Sequence, residues 1–375
     1  MKMKQNLNDH QDMLPDYPGR LRKLKESLKK KNLKFFLTED PANRLYLTGF
    51  TGSTGWVLVS EDGVTLFVDS RYTELAQNQS PPVKVNQIDT PFDSFWESYS
   101  RSFEGERVGY ESHKITHRQV LELRDRSRAA KLNLVSTQGV IEKVRSVKDP
   151  YEIAQIQKSV DIADRAFAKL LVAIKPGQTE IEIAWLLEKL IREEGAERVA
   201  WHPFIVAVGA NSSMPHYHPG KAQLQKQDML QLDFGAVVNG YCSDISRVVF
   251  MGKPTADQRK VYQVVWDAQE SAMRRIHPGA KSKEVDAAAR EVVEKAGYKP
   301  YGHGLSHGIG LEVHELPSVS LRSTDVLQEG NVISVEPGIY IPGWGGIRIE
   351  DLVLVTKSGC ETLTKSPKDI SKVTI

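Results

Sequence analysis

Residues 230–247 read LQLDFGAVVNGYCSDISR. An apolar run, Met229–Leu232, leads into Asp233-Phe-Gly235; the chain turns at Asn239-Gly240 and comes back through a strand carrying Asp244. Asn-Gly is the strongest short hairpin signal and favours a two-residue type I′ turn. Such a turn sets Gly235 opposite Asp244 and Asp233 opposite Ser246. Side chains alternate along a strand, so Asp233 and Asp244 share a face. As diagonal neighbours, with backbones roughly 7–8 Å apart, their carboxylates can reach one ion. This expectation requires that neither strand bulges. Cys242 falls on the same face, opposite Val237; packing is its expected role, although the geometry leaves a thiol ligand open.

The hairpin belongs to a duplicated unit. Ile174-Lys-Pro-Gly177 recurs as Ile276-His-Pro-Gly279, and at the same spacing Glu182-Ile183 matches Glu284-Val285 and Gly195 matches Gly297. In each copy one helix precedes the Pro-Gly and another follows it, and the chain then enters strands. Asp233-Phe-Gly235 corresponds to Glu336-Pro-Gly338, and the two returning strands carry Asp244 and Glu350. A repeated helix–helix–hairpin unit predicts two antiparallel sheets related by a pseudo-twofold axis and backed by helices. Carboxylates from both copies then converge on the axis.

Four carboxylates gathered on an apolar-flanked surface repel one another and lose hydration. Two divalent cations balance the charge, and a paired-metal site about 3.5–4 Å across activates water for attack on a carbonyl at neutral pH. His307 supplies one imidazole from the glycine-rich stretch Gly302–Gly310, where backbone can approach a ligand closely. An oxygen-rich set with one nitrogen suits Mn²⁺, Co²⁺ or Zn²⁺, with Mn²⁺ placed first. Taken singly, Asp233 and Glu336 could be turn residues, and His202, His218 and His277 read as structural histidines. The joint pattern carries the reading.

The rest of the chain sets bounds. Its 375 residues suit two domains, and 40% apolar with 26% charged residues is ordinary for a globular protein. A formal charge of +2 argues against nucleic acid or an anionic membrane as the main partner. No apolar run approaches the roughly 18 residues of a membrane span. The N-terminus lacks a secretory h-region, and two cysteines in no metal-type spacing suit a reducing compartment, so a cytoplasmic protein is expected. Residues 1–17 read as a disordered tail, 18–139 as a small α/β domain and 140–150 as a linker, with 151–375 as the catalytic domain. In the α/β domain, Trp56–Ser60 and Val64–Asp69 form a hairpin. His113 and His117 read there as a solvated pair.

The motifs LQLDFGAVVNGYCSDISR (230–247), HGLSHGIGLEVHE (303–315), VISVEPGIYI (332–341) and GIRIED (346–351) resemble the proline-specific branch of the pita-bread metallopeptidases, which includes aminopeptidase P and prolidase. LYLTGFTGS (45–53) and FVDSRY (67–72) resemble that branch's creatinase-like N-terminal domain, so the resemblance covers nearly the whole chain. It implies an α+β fold, with a smaller α/β domain ahead of a pita-bread domain. It implies Asp233, Asp244, His307, Glu336 and Glu350 as ligands of two divalent ions per subunit. It implies His216 and His314 beside the scissile carbonyl, Glu336 as proton acceptor, and His303 and Arg348 as contacts to the proline residue or carboxylate end. Substrates would be Xaa-Pro dipeptides or short peptides with proline second. A homodimer is also implied. Ser246 stands where threonine is usual, and Ser306 where prolidases often have glycine.

Three other readings compete. A metal-free, creatinase-like amidinohydrolase should lack the carboxylate set, and an inactive pita-bread binding module should have lost ligands; here all five positions are filled. A methionine-type aminopeptidase is normally built without the N-terminal domain.

Overall fold

A computed structural model of the chain describes residues 14–80 and 83–375. Most of the expected tail, residues 1–13, lies outside the described residues, and Tyr17 already opens the first helix. The described chain divides into two compact units, meeting in sequence between Arg145 and Ser146.

In the first unit, helices α1 (Tyr17–Lys30), α2 (Pro41–Thr48), α3 (Thr73–Gln79), α4 (Phe92–Tyr99), α5 (His117–Ser127) and α6 (Val140–Arg145) alternate with six strands. These are β1 (Phe35–Thr38), β2 (Trp56–Ser60), β3 (Gly63–Val68), β4 (Lys84–Gln87), β5 (Arg107–Glu111) and β6 (Asn133–Thr137). They form one mixed sheet in the order β4-β3-β2-β1-β5-β6. The expected hairpin is β2–β3, closed where Ser60 faces Gly63. Leu37, Leu58, Phe67, Trp96 and Val108 pack into its core. The segment 140–150, expected as a linker, holds α6 and the first residue of the next helix. His113 and His117 are both exposed, and His113 Nε2 also lies 3.4 Å from Glu142 Oε1.

Glu111, at the end of β5, is buried. Its carboxyl accepts from Asn43 Nδ2 at 2.6 Å and from the Thr38 hydroxyl, while Asn43 Nδ2 also reaches Glu142 at 2.9 Å. Burial, followed by the negative charge of Glu142, pushes Glu111 up to about 8, with Asp40 raising it further and Lys114 opposing.

The second unit repeats itself. Its first copy contains α7 (Pro150–Ala173), α8 (Glu180–Glu193), β7 (Arg198–Val199), β8 (Ile205–Val208), β9 (Met229–Phe234), β10 (Ala236–Val238), β11 (Tyr241–Cys242) and β12 (Ile245–Phe250). The second contains α9 (Ala256–Met273), α10 (Ser282–Lys295), β13 (Ser306–Gly308), β14 (Glu315–Val319), β15 (Val332–Val335), β16 (Gly338–Ile341), β17 (Gly345–Arg348), β18 (Asp351–Thr356) and β19 (Gly359–Thr362). Capping boxes start α7 (Asp149/Glu152), α8 (Thr179/Glu182) and α9 (Thr255/Gln258), satisfying backbone N–H groups that a helix start leaves unpaired.

The duplication extends to single hydrogen bonds. Gly177 and Gly279 both take a left-handed backbone, at φ 92° and 89°. Their N–H groups donate to Leu224 O (2.7 Å) and Leu327 O (2.8 Å), at the same place in each copy. Each copy folds its strands antiparallel, but each expected sheet is split in two. The first copy gives β12-β9-β8 and β11-β10-β7; the second gives β14-β13-β15-β18-β19 and the β16–β17 hairpin. A continuous apolar core, including Phe167, Leu187, Phe234, Val248, Val265 and Ile333, lies beneath both copies. Among the described residues, no helix is long and apolar enough to cross a membrane.

A buried ion pair on the far side of the strands is among the contacts that tie the copies together. Arg247 on β12 is wholly buried and donates to Asp351 Oδ1 on β18 at 2.6 Å. It also donates to the carbonyls of Glu350, Ser246, Ser366 and Pro367. Lys368 Nζ reaches the other Asp351 oxygen at 2.9 Å. Burial alone would raise the Asp351 carboxyl; Arg247 and Lys368 outweigh it and hold it down.

Two predictions follow from these buried charges. Removing one partner of a buried pair leaves the other uncompensated, so Asp351→Ala should lose about 3–5 kcal/mol in urea titration; a loss below about 1 kcal/mol would refute the brace. For Glu111, an acid that holds its proton more tightly when folded stabilises the fold below its unfolded pKa. That contribution disappears as pH rises through about 8. Glu111→Gln, a permanent stand-in for the neutral acid, should therefore melt above the parent at pH 9, by roughly 2–4 °C per kcal/mol regained. The two curves should converge near pH 5, and an unchanged gap between the two pH values would sink the assignment.

Candidate active site

The first hairpin takes the register its turn predicts. Asn239 and Gly240 have φ of 50° and 81°, Val238 faces Tyr241, and Ser246 faces Asp233. No residue is inserted between, so Asp233 and Asp244 share a face. The ladder is interrupted only at Gly235, where an added Cβ would lie 1.9 Å from the Ser243 carbonyl oxygen. Only glycine lets the strands pass so closely.

The second hairpin has its own constant register. Val335 faces Asp351 and Gly338 faces Arg348, which sets Glu336 directly across from Glu350. The copies therefore differ. Directly opposite Asp233 stands Ser246, whereas Asp244 is displaced toward the turn. Between the hairpins, Ser246 Oγ donates to Glu350 Oε2 (2.9 Å) and accepts from Arg348 Nε (2.8 Å).

His307 enters on β13. Its Nδ1 lies 3.1 Å from Gly308 O, and a carbonyl can only accept, so Nδ1 carries the proton. Nε2 faces Glu336 Oε1 (3.3 Å) and Asp244 Oδ2 (3.7 Å): protonated, it donates to Glu336, and neutral, it offers its lone pair to an ion. Asp244, His307 and Glu350 each offer a ligand atom within 4.8 Å of the others. Asp233 gives Oδ2 to Arg348 (2.6 Å), while its Oδ1 and the Glu350 Oε1 are buried without a hydrogen-bond partner. Two orphaned carboxylate oxygens beside an imidazole lone pair and two further carboxylates form a donor set that fits hard or borderline divalent ions.

The charges separate. Burial, then the neighbouring carboxylates, pushes Asp244 and Glu350 well above the usual range. Burial would also raise Glu336, but the hydrogen bond and charge of His307 outweigh it and leave Glu336 lowered. For His307, burial pulls down and Glu336 wins, raising it.

All nine predicted site residues line one cavity of about 780 Å³. His303, lowered mainly by burial, donates from Nδ1 to Gly304 O (2.7 Å) and accepts at Nε2 from Tyr340 (3.0 Å). Tyr340 in turn accepts from Arg348 NH1 at 3.0 Å. Arg348, expected as a substrate contact, donates here to Asp233, Ser246, Tyr340 and the Pro215 carbonyl. His314 stands ring to ring with His307, centroids 4.3 Å apart, and is lowered by burial and then by His307. His216 is exposed in a turn at the cavity wall.

Several features were not expected. His202 and His218, read as structural, line the cavity. Tyr340 was missed, although it lies two and four residues from Gly338 and Glu336 and so shares their face. Gly338 makes room for it: a Cβ there would lie 2.5 Å from the Tyr340 hydroxyl. Cys242 is buried at 4.0 Å from Leu311 O and outside the metal-capable group.

Known proteins match both units. The model of metallopeptidase family M24 matches residues 154–357, and that of the creatinase/prolidase N-terminal domain matches residues 20–147. The chain is 34% identical over 355 residues to an Xaa-Pro dipeptidase of Pyrococcus furiosus, covering 94% of this chain and 99% of that protein. Among solved structures, an Xaa-Pro dipeptidase from Bacillus anthracis superposes with a TM-score of 0.90 at 33% identity, covering 96% of this chain and 100% of that one. An X-Pro aminopeptidase from Thermotoga maritima gives 0.86 at 35% identity, covering 93% and 100%. With a matching domain order and a donor cluster suited to divalent ions, the chain belongs to metallopeptidase family M24 and carries a creatinase/prolidase N-terminal domain.

Proposed function

We propose that this metallopeptidase hydrolyses the bond between an N-terminal residue and a following proline, in dipeptides or short peptides. The observation that carries the reading is the cavity floor, where Asp233, Asp244, His307, Glu336 and Glu350 converge with two buried oxygens left unpartnered. The relatives' proline-directed activities support the substrate class. These five residues would hold two divalent ions, Mn²⁺ first among the choices, in a cytoplasmic homodimer.

Two such ions, when bound, polarise the scissile carbonyl and lower the pKa of the attacking water. The protein supplies the remaining parts. Glu336, held in the lower, ionised range by His307 and Arg348, is the carboxylate that takes the water's proton. It then delivers that proton to the departing proline nitrogen. His314, held neutral by burial, donates an N–H to the developing oxyanion, and His216 flanks the carbonyl from the cavity wall. Arg348 holds Asp233 by one oxygen and leaves the other to an ion.

Asp244→Ala should abolish hydrolysis of Xaa-Pro and Xaa-Pro-Xaa peptides assayed with Mn²⁺, Co²⁺ or Zn²⁺, while the fold persists. Activity within about tenfold of the parent, with metal still bound, would refute the two-metal site. His314→Ala should lower kcat about 10²–10³-fold at unchanged metal content. If metal content fell in parallel, His314 would be a ligand instead.

A further inference from the structure

Glu180 is the first residue of α8 and is wholly buried. A carboxylate removed from water persists only if its oxygens are bonded, and here both are bonded twice. Oε1 accepts from the Val208 N–H and Asn211 Nδ2, each at 2.8 Å. Oε2 accepts from the Tyr217 hydroxyl (2.9 Å) and the Gly220 N–H (2.8 Å). Every donor belongs to the segment 208–220, which leaves β8 and carries His216 along the cavity wall.

The helix does not need this carboxylate. Thr179 and Glu182 already form the capping box, and the N–H groups of Glu180 and Ile181 donate to Ala222 O and Gly220 O. The second copy makes the comparison. Ser282 starts α10 at the equivalent place, and its N–H donates to Asp325 O just as that of Glu180 donates to Ala222 O. Its hydroxyl, however, is buried with no partner. The shared fold is therefore built without a carboxylate at this point. What differs is the segment that Glu180 grips.

That grip closes on both sides of His216. Tyr217 is tied by its hydroxyl to Glu180 and Asn211, while the Pro215 carbonyl accepts from Arg348 NH1 at 3.4 Å. We propose that Glu180 is a positioning residue that acts on the reaction through His216, an inference that rests on the peptidase reading above. Its carboxylate sets the course of residues 209–220 and so the place of the His216 imidazole beside the scissile carbonyl.

The test is Glu180→Gln in the full-length, metal-loaded enzyme. The carboxamide nitrogen must face either Val208 N–H or Gly220 N–H, neither of which can accept, so at least one anchor is lost. Amide hydrogen exchange in 209–220 should rise about tenfold or more, with α8 and β9 unchanged. Proline-peptide kcat/KM should fall about tenfold at unchanged metal content. Within a His216→Ala background, the added Glu180→Gln change should cost less than about twofold, because the two act through one group. Equal fold-losses in both backgrounds, or unchanged exchange and kinetics, would overturn the proposal. Should Glu180→Gln fail to fold, Tyr217→Phe removes one anchor alone; it should reproduce the coupling to His216 at smaller size, and parent-like kinetics would overturn the proposal. A parent enzyme inactive on proline peptides would defeat the functional reading, while the exchange measurement would still decide whether Glu180 holds the segment.

Discussion

Mutual repulsion among Asp233, Asp244, Glu336 and Glu350 is the force that the second unit must contain. Asp233 sits on β9 and the other three in short breaks between consecutive strands, and Asp244 and Glu350 are pushed toward the neutral form by burial and by the neighbouring carboxylates. Arg348 and His307 offset part of the charge, at 2.6 Å from Asp233 and 3.3 Å from Glu336. Two oxygens are still left without partners in the interior. A buried polar atom without a hydrogen bond is costly, and such atoms persist where something else satisfies them. The ions proposed above would supply what the protein's own donors leave unsatisfied here.

The scaffold beneath this cluster is correspondingly stiff. Arg247 reaches from the first copy to the carbonyl of Glu350 and the carboxylate of Asp351 in the second. Gln269 on α9 donates to the carbonyls of Val335 (3.0 Å) and Ile349 (3.3 Å), the residues immediately before Glu336 and Glu350. Lys148 and Glu315, buried together at 3.2 Å, secure the chain beside His314. Backbone carbonyls next to the functional carboxylates are thus pinned by side chains from distant elements. Such bonds hold a charged site in one geometry against its own repulsion.

Duplication and asymmetry serve different purposes here. The helices, their Pro-Gly turns and the bonds to Leu224 and Leu327 repeat faithfully, because both copies must cover the same core. The hairpins depart from symmetry where chemistry is placed. Ser246 occupies the position opposite Asp233 that Glu350 occupies opposite Glu336, and its hydroxyl bridges Glu350 and Arg348. Four directly opposed carboxylates would leave no such donor between the hairpins.

Much of this was legible in the chain itself. The Asn239-Gly240 turn, strand parity and the repeated Pro-Gly units fixed the type of fold and gathered the carboxylates, because turn chemistry and side-chain alternation are local and periodic. The second hairpin was harder to register, since its strands close through Pro342-Gly343-Trp344 instead of a two-residue turn, and Tyr340 was missed with it. Tertiary structure alone decided that Arg348 turns its donors onto Asp233, Ser246 and Tyr340, that two carboxylate oxygens stay unpaired, that His202 and His218 face the cavity, and that Glu180 grips the segment bearing His216. Each of these depends on contacts between residues far apart in the chain, at distances set by packing of the core. Such contacts leave no period in the sequence from which they could be read.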